Sequence, residues 1–325
     1  MPTPPLILAR LGRTALSVSP IGFGTSAIGD MPDSYGYGVD EARAYATLRA
    51  IFAGPAKLID ASRIYGSGRS EQRIGAVLRE IGGLPQCFVV STKLDRDFAN
   101  SRFDASRARR SLEESLTALG LSRIQILHLH DPEHCASLAE VTAKDGPIAE
   151  LFKMKAEGLC DAVGLAAGNV DIMIPLLKDW DFDALITHNR FTLVNRNAEA
   201  MIDLAVLRGT AVLNAAPYAG GVFAKSSAAF PRYAYQMADD AMLAPVRQVE
   251  AICARHSIPP GAAALQFSLR DKRVTSTICG VSKPERVAET LAWAAHPIPQ
   301  AAWDEFAAIK ASTDDPEATR KYTMG

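Results

Sequence analysis

Eight apolar runs, each followed by an amphipathic stretch, constrain this chain more than any other feature. The runs lie at 21–25, 57–60, 88–93, 124–130, 161–165, 184–187, 211–215 and 276–279. Their helical partners lie at 40–52, 70–81, 105–119, 147–156, 172–177, 198–207, 245–255 and 284–294. Repeated strand-crossover units keep both faces of a parallel sheet covered, so eight of them predict a closed parallel α/β barrel. With 325 residues, 48% of them hydrophobic, the chain has enough apolar material for that core. A barrel of this length is expected to be one domain over 1–325.

Three segments fall outside the alternation. Leu8 to Ser19 carries a Gly12-Arg13 turn between short alternating runs and is expected to form a hairpin closing the bottom of the barrel. The tail from Pro299 spaces Trp303 and Phe306 at i, i+3, which predicts an added helix outside the ring. The longest insertion, 220–241, holds Phe223, Phe230, Tyr233 and Tyr235. Two readings of it stand, a lid over a bound ligand and ordinary surface packing of aromatics.

Charge and cysteine usage narrow the partners. With 35 basic and 36 acidic residues, the net charge of -1 offers no bulk attraction to nucleic acid or to an anionic membrane. Cys87, Cys135, Cys160, Cys253 and Cys279 lie far apart without a CxxC pair, which fits reduced thiols and a cytoplasmic setting. The first ten residues show no basic start followed by a long apolar stretch, so neither a signal peptide nor a membrane span is expected. A small molecule is the expected partner, and the oligomeric state is not written in the pattern.

The chemistry gathers where strands end. Asp60, Tyr65, Lys93 and His130 each follow or close a short apolar run. Residues so placed meet at the mouth of a parallel barrel, where loops gather and active sites form. A carboxylate, a phenol, an ammonium and an imidazole converging there can move a proton to or from a substrate oxygen. His128, two residues before His130, is expected to face the same way, which opens a His-x-His metal reading. The other reading puts it one layer deeper and hydrogen-bonded, since two strand residues span about 6–7 Å. No matching third ligand stands at another strand end, so no metal is expected.

These residues carry a resemblance. Ile59-Asp60-Ala61-Ser62-Arg63-Ile64-Tyr65-Gly66, followed by Ser70-Glu71-Gln72-Arg73-Ile74-Gly75, resembles the signature of the aldo-keto reductases. Ser91-Thr92-Lys93 and Leu129-His130-Asp131-Pro132 are similar to the segments holding that family's lysine and histidine. The resemblance spans nearly the whole chain and implies a (β/α)8 TIM barrel with reversible hydride transfer between NADP or NAD and a carbonyl or alcohol. It implies that Tyr65 is the general acid/base, that Lys93 eases ionisation of the phenol, that Asp60 holds Lys93, and that His130 orients the substrate oxygen.

The implied cofactor set is Gly24, Thr25, Asp60, Asn169, Arg190, Pro217, Tyr218, Gly221, Gly280, Ser282, Arg286 and Glu289. Departures from the family pattern cluster there. Alanines at 166–167 replace an expected Ser-Asn pair, leaving Asn169 to meet the carboxamide, and Arg190 occupies a glutamine position. Ala216 takes the place of an aromatic, and Tyr218 beyond Pro217 is left to stack on the cofactor or face substrate. Gly280 stands where members favouring the phosphorylated cofactor have lysine, with Ser282, Lys283 and Arg286 nearby. The phrases at 129–132 and 187–193 are similar to the branch oxidising free sugars, such as the L-fucose and D-threo-aldose dehydrogenases, and to pyridoxal 4-dehydrogenase. The expected substrate is an aldose oxidised to a lactone, with pyridoxal or a general aldehyde as alternatives, and His134, Arg190 and Asn214 are its candidate polar partners. A nicotinamide-binding regulatory subunit and a metal-dependent hydrolase on the same barrel are the readings from other classes.

Overall fold

The computed structural model describes residues 6–320; residues 1–5, part of the segment read for a leader, lie outside them. Eight parallel strands close into a barrel: β1 (Ile21–Gly24), β2 (Leu58–Asp60), β3 (Val89–Leu94), β4 (Ile124–His130), β5 (Cys160–Ala166), β6 (Ala184–His188), β7 (Ala211–Ala215) and β8 (Val274–Gly280). Each pairs with the next in sequence, and β8 returns to β1 with Thr277 opposite Ile21 and Gly280 opposite Gly24.

Alternate strand residues point inward. Leu58, Val89, Ile126, Ala162, Ala184, Ala211 and Leu213 fill the barrel with one another, and Leu11 and Val18 seal it from below. Leu11 and Val18 belong to the N-terminal hairpin, whose strands Ala9–Arg10 and Ser17–Val18 pair antiparallel. The opposite faces of the strands pack on the helices as a second, larger apolar layer. Because the period is two, a slip of one residue in β3 or β4 would exchange Lys93 or His130 with an apolar neighbour, so burial fixes the register of the site.

Two glycines show how tightly the interior is filled. A Cβ on Gly22 would lie 2.8 Å from Leu58, and one on Gly164 would collide with the His128 ring. The missing side chains make room for those two large ones.

The outer helices differ most from expectation just before β8. The stretch expected at 245–255 begins earlier, as Asp240–Arg255, with Asp239 accepting from Met242 N as its cap. A further helix, Pro260–Arg270, follows it and precedes β8. Pro259-Pro260 marks a helix start here, since proline at the first helical position gives up an N–H that would have had no partner. The C-terminal helix Gln300–Ala307 packs outside the ring against Asp240–Arg255, with Trp303 and Phe306 in edge contact at 5.5 Å. All five cysteines are free thiols. No helix among the described residues is long and apolar enough to cross a membrane.

Candidate active site

The quartet read from the sequence meets at the C-terminal mouth of the barrel. Lys93, 2% exposed, donates from Nζ to Asp60 Oδ2 at 2.8 Å, to the Ala61 carbonyl at 2.7 Å and to Tyr65 Oη at 3.2 Å. Those three bonds use all the ammonium hydrogens, and they leave the phenol its own proton to give. Ser91 Oγ donates to the other Asp60 oxygen at 2.8 Å, which fixes the carboxylate.

The turn carrying Tyr65 is pinned by its neighbours. Gly66 has φ 60°, and a Cβ there would strike the Gly29 backbone, so only glycine lets the two loops meet. Ser70, first of the Ser-Glu pair, donates to the Thr25 carbonyl and hydroxyl, and its backbone N–H reaches the Tyr65 carbonyl at 3.2 Å. Glu71 accepts from Thr92 Oγ1 at 2.6 Å in full burial, which pushes its carboxyl up to about 7. The Ser-Glu segment therefore buttresses the site from below.

Burial, and then the Asp60 charge, push the Tyr65 phenol well above its ordinary value. The sequence argument gave the leading effect to Lys93. Lys93 stands at the phenol, its Nζ 3.2 Å from Oη, and burial leads the shift.

His130 is gripped from both sides. Its Nδ1 lies 2.5 Å from Asp95 Oδ1, and its Nε2 lies 3.6 Å from Asp131 Oδ1. Ser62 Oγ and the Ile64 N–H donate to the second Asp95 oxygen at 2.7 and 3.1 Å. Burial pushes Asp95 up, but His130 and these bonds outweigh it and hold the carboxyl below its usual range. Burial likewise pushes His130 down, while Asp131 and Asp95 outweigh it and set the imidazole above its ordinary value. Asp95 was missed in the sequence; its position two residues after Lys93 was the available signal.

His128 lies deeper in the barrel, fully buried, but it is not hydrogen-bonded as expected: neither ring nitrogen has a partner among the described residues. Burial, with Lys93 and His130 adding, drives its pKa well below the usual value, so it is neutral. Among the described residues no group of three or more His, Cys, Asp or Glu is placed to hold a metal ion.

A single crevice runs from this quartet along the strand ends. Its floor is Gly24, Ala166, Ala167, Ala215 and Ala216, and it continues past Tyr218, Gly221 and Gly280 to Ser282, Arg286 and Lys225. A Cβ on Gly280 would meet nothing within 4 Å, so this edge is open. At the far end Lys225 sits 3.9 Å from the Tyr37 and Phe230 rings, and burial together with Arg286, Arg232 and Lys283 pushes its pKa down to about 8. Crowded cations of this kind fit the phosphates of a dinucleotide, which would relieve their repulsion.

Five members of the implied cofactor set do not line the crevice. Thr25 is buried, bonding through its hydroxyl to the Asp60 carbonyl at 2.9 Å. The Asn169 side-chain oxygen caps the helix Val170–Asp179, accepting from Asp171 N and Ile172 N. Arg190 is committed to the C-terminal tail, at 2.6 Å from Asp315 and 3.1 Å from Glu317. Pro217 lies behind the lining, and Glu289 meets Arg286 at 3.0 Å. Tyr218 reaches the crevice, but its ring meets Trp293 edge-on at 5.5 Å and its hydroxyl points to Thr290.

The substrate end also differs from expectation. His134 and Asn214 are not in the lining, and Asn214 faces the helices, bonded to Phe191 O and Ser268 Oγ. Their place is taken by Tyr35, Asp131, His188, Tyr235 and Arg320. Tyr235 comes from the 220–241 insertion, whose hairpin Arg232–Tyr233/Gln236–Met237 leans on the loop at 33–37: Arg232 donates to Ser34 O at 3.1 Å, and Tyr35 meets Tyr235 edge-on at 5.7 Å. Glu317 holds His188 at 3.1 Å and Arg320 at 2.7 Å, so the tail forms one wall. Nothing local in the sequence signals a contact spanning more than 120 residues.

A TIM barrel whose strand ends bring Asp60, Tyr65, Lys93 and His130 together beside a crevice suited to a dinucleotide defines a nicotinamide-linked oxidoreductase. The chain belongs to the aldo/keto reductase family, whose model matches residues 20–311, and it is an NAD(P)-dependent oxidoreductase. It is similar to D-threo-aldose 1-dehydrogenase of Pseudomonas sp, 29% identical with 90% of this chain and 94% of that protein covered. Pyridoxal 4-dehydrogenase of Microbacterium luteolum is 28% identical, with the same shares covered. The fold matches that of an aldo-keto reductase from Bacillus halodurans solved in its holo form, with a TM-score of 0.75 and 19% identity over 97% of this chain and 100% of that one.

Proposed function

We propose that this protein oxidises the anomeric hydroxyl of a free aldose to a lactone, with Tyr65 as the acid/base. The observation that carries the reading is the Lys93 ammonium bonded at once to Asp60 and Tyr65, beside the carboxylate-held His130 in one cavity. The nicotinamide, when bound, supplies the hydride acceptor. Lys93 holds the phenol oxygen in place, so the substrate hydroxyl meets Tyr65 Oη on one side and His130 on the other. Tyr35 and Tyr235, in edge contact at 5.7 Å, line the cavity and reduce the room for water beside the substrate.

Similarity to the aldose dehydrogenase supports the sugar, and so does the lining, where Tyr35, Asp131, His188, Tyr235 and Arg320 offer several donors and acceptors to a hydroxyl-rich ring. For the cofactor, Lys225, Ser282, Lys283 and Arg286 favour NADP, since a 2′-phosphate would add two negative charges where cations are crowded. Reduced-nicotinamide absorbance with L-fucose, D-arabinose, L- and D-galactose and pyridoxal, each with NAD and with NADP, tests the proposal. Reduction with an aldose is the expected result. Turnover confined to pyridoxal would transfer the assignment to that alcohol, and flat traces against every substrate would end it.

A further inference from the structure

Asp131 is a buried carboxylate that holds nothing. It is 7% exposed and lines the cavity, and among the described residues no donor bonds to either of its oxygens. His130 Nε2 stands 3.6 Å from Oδ1, beyond hydrogen-bond reach. The local chain offers a partner that Asp131 does not take. It precedes the helical turn Pro132–His134, a place where an aspartate side chain ordinarily accepts from the N–H groups that follow, and no such bond forms. Its backbone is left-handed instead, with φ 43°, and its side chain is given to the cavity.

The other carboxylates at this end are committed. Asp60 accepts from Lys93 and Ser91. Asp95 accepts from Ser62 and the Ile64 N–H and holds His130. Glu317 is paired with His188, Arg190 and Arg320. Asp131 alone faces the cavity without a donor. A carboxylate taken out of water on those terms carries a cost, and a ligand that brings a donor to it relieves that cost.

Its place beside His130 says which donor. In the proposed reaction the reacting hydroxyl of the sugar stands at His130. A hydroxyl on the neighbouring carbon, gauche to the first, lies about one hydrogen-bond length from it. Nε2 and Oδ1, 3.6 Å apart, are spaced for each to engage one oxygen of such a pair. We infer that Asp131 is a specificity-determining residue that accepts the C2 hydroxyl of the aldose, on the carbon next to the one oxidised. The substrate class is then an aldose with a free hydroxyl at C2, and a 2-deoxy sugar is a poor substrate. The hydroxyl donates to an ionised acceptor, a bond about twice as strong as one between neutral groups.

The inference rests on the sugar reading of the site. Its test measures kcat/KM with NADP for an aldose and for its 2-deoxy counterpart, such as D-galactose and 2-deoxy-D-galactose, in wild type, Asp131→Asn and Asp131→Gly. Asparagine and glycine both accept the left-handed backbone at this position, so the turn is kept; the first removes the charge and the second the acceptor. Wild type is expected to prefer the aldose by about 10–100-fold, the size of a hydrogen bond to a charged group. The preference should shrink in Asp131→Asn and fall below about 3-fold in Asp131→Gly, through loss of rate on the aldose alone. A merely structural role would lower both sugars alike. NADP affinity, read by titration calorimetry, should be the same in all three proteins; a fall that matches the loss in kcat/KM would give the carboxylate to the cofactor and overturn the inference. A wild type that oxidises both sugars equally well, or a preference that survives unchanged in Asp131→Gly, overturns it and leaves the sugar reading standing. Flat traces with every aldose end the sugar reading, and this inference with it.

Discussion

Replacing His128 by leucine should stabilise this protein, and more so in acid. His128 is fully buried, and neither ring nitrogen finds a partner among the described residues. An apolar side chain of similar volume removes that desolvation cost, about 1–3 kcal/mol, against a shape mismatch of up to about 1.5 kcal/mol. A net change of about −0.5 to +3 kcal/mol, stabilising over most of that range, is expected at pH 8. The pH dependence is the sharper part. Burial holds the folded pKa of His128 well below its unfolded value, so the unfolded chain binds the proton first. Wild-type stability from this group is whole above about pH 6.5 and is lost as pH falls below it, at about 1.4 kcal/mol per unit. At pH 5 the loss amounts to about 2 kcal/mol, which the leucine variant escapes. Urea unfolding of both proteins at pH 8 and pH 5 isolates the term as a difference of differences, in which every other titrating group cancels. A gap between variant and wild type that is the same at both pH values would refute the buried, neutral, unpartnered assignment.

Two further outcomes follow from ion pairs. Arg190→Met removes a buried cation from Asp315 and from Glu317, which keeps His188 and Arg320, and should cost about 3 kcal/mol in urea unfolding, with a raised KM for substrate because the tail wall loses an anchor. Arg286→Ala should weaken NADP binding about 10–100-fold and leave NAD binding nearly unchanged, as read by titration calorimetry; equal losses for both would remove the 2′-phosphate contact.

The barrel was legible because its signal is periodic and repeated, and eight alternations leave few topologies open. The convergence of Asp60, Tyr65, Lys93 and His130 was legible for a related reason: a polar residue closing an apolar run needs an explanation, and a barrel mouth supplies one. The cofactor set was less so. Asn169 spends its side-chain oxygen on a helix cap and Arg190 its charge on a tail 125 residues away, and local sequence records neither commitment. The helix Pro260–Arg270 lies between an expected helix and an expected strand and was not assigned from the sequence, although Pro260 stands at its start. Asp131 was quoted only as part of a motif; its contact with Nε2 depends on a left-handed turn that sequence does not display.

The most direct test of the central claim compares wild type with Tyr65→Phe in an aldose-dependent nicotinamide reduction assay, with cofactor affinity measured in parallel. The account predicts a fall in kcat of about 100-fold to 10,000-fold with cofactor affinity retained, since the phenol is the acid/base and the ring that remains keeps the shape of the crevice. A Tyr65→Phe protein that turns over at the wild-type rate would contradict it.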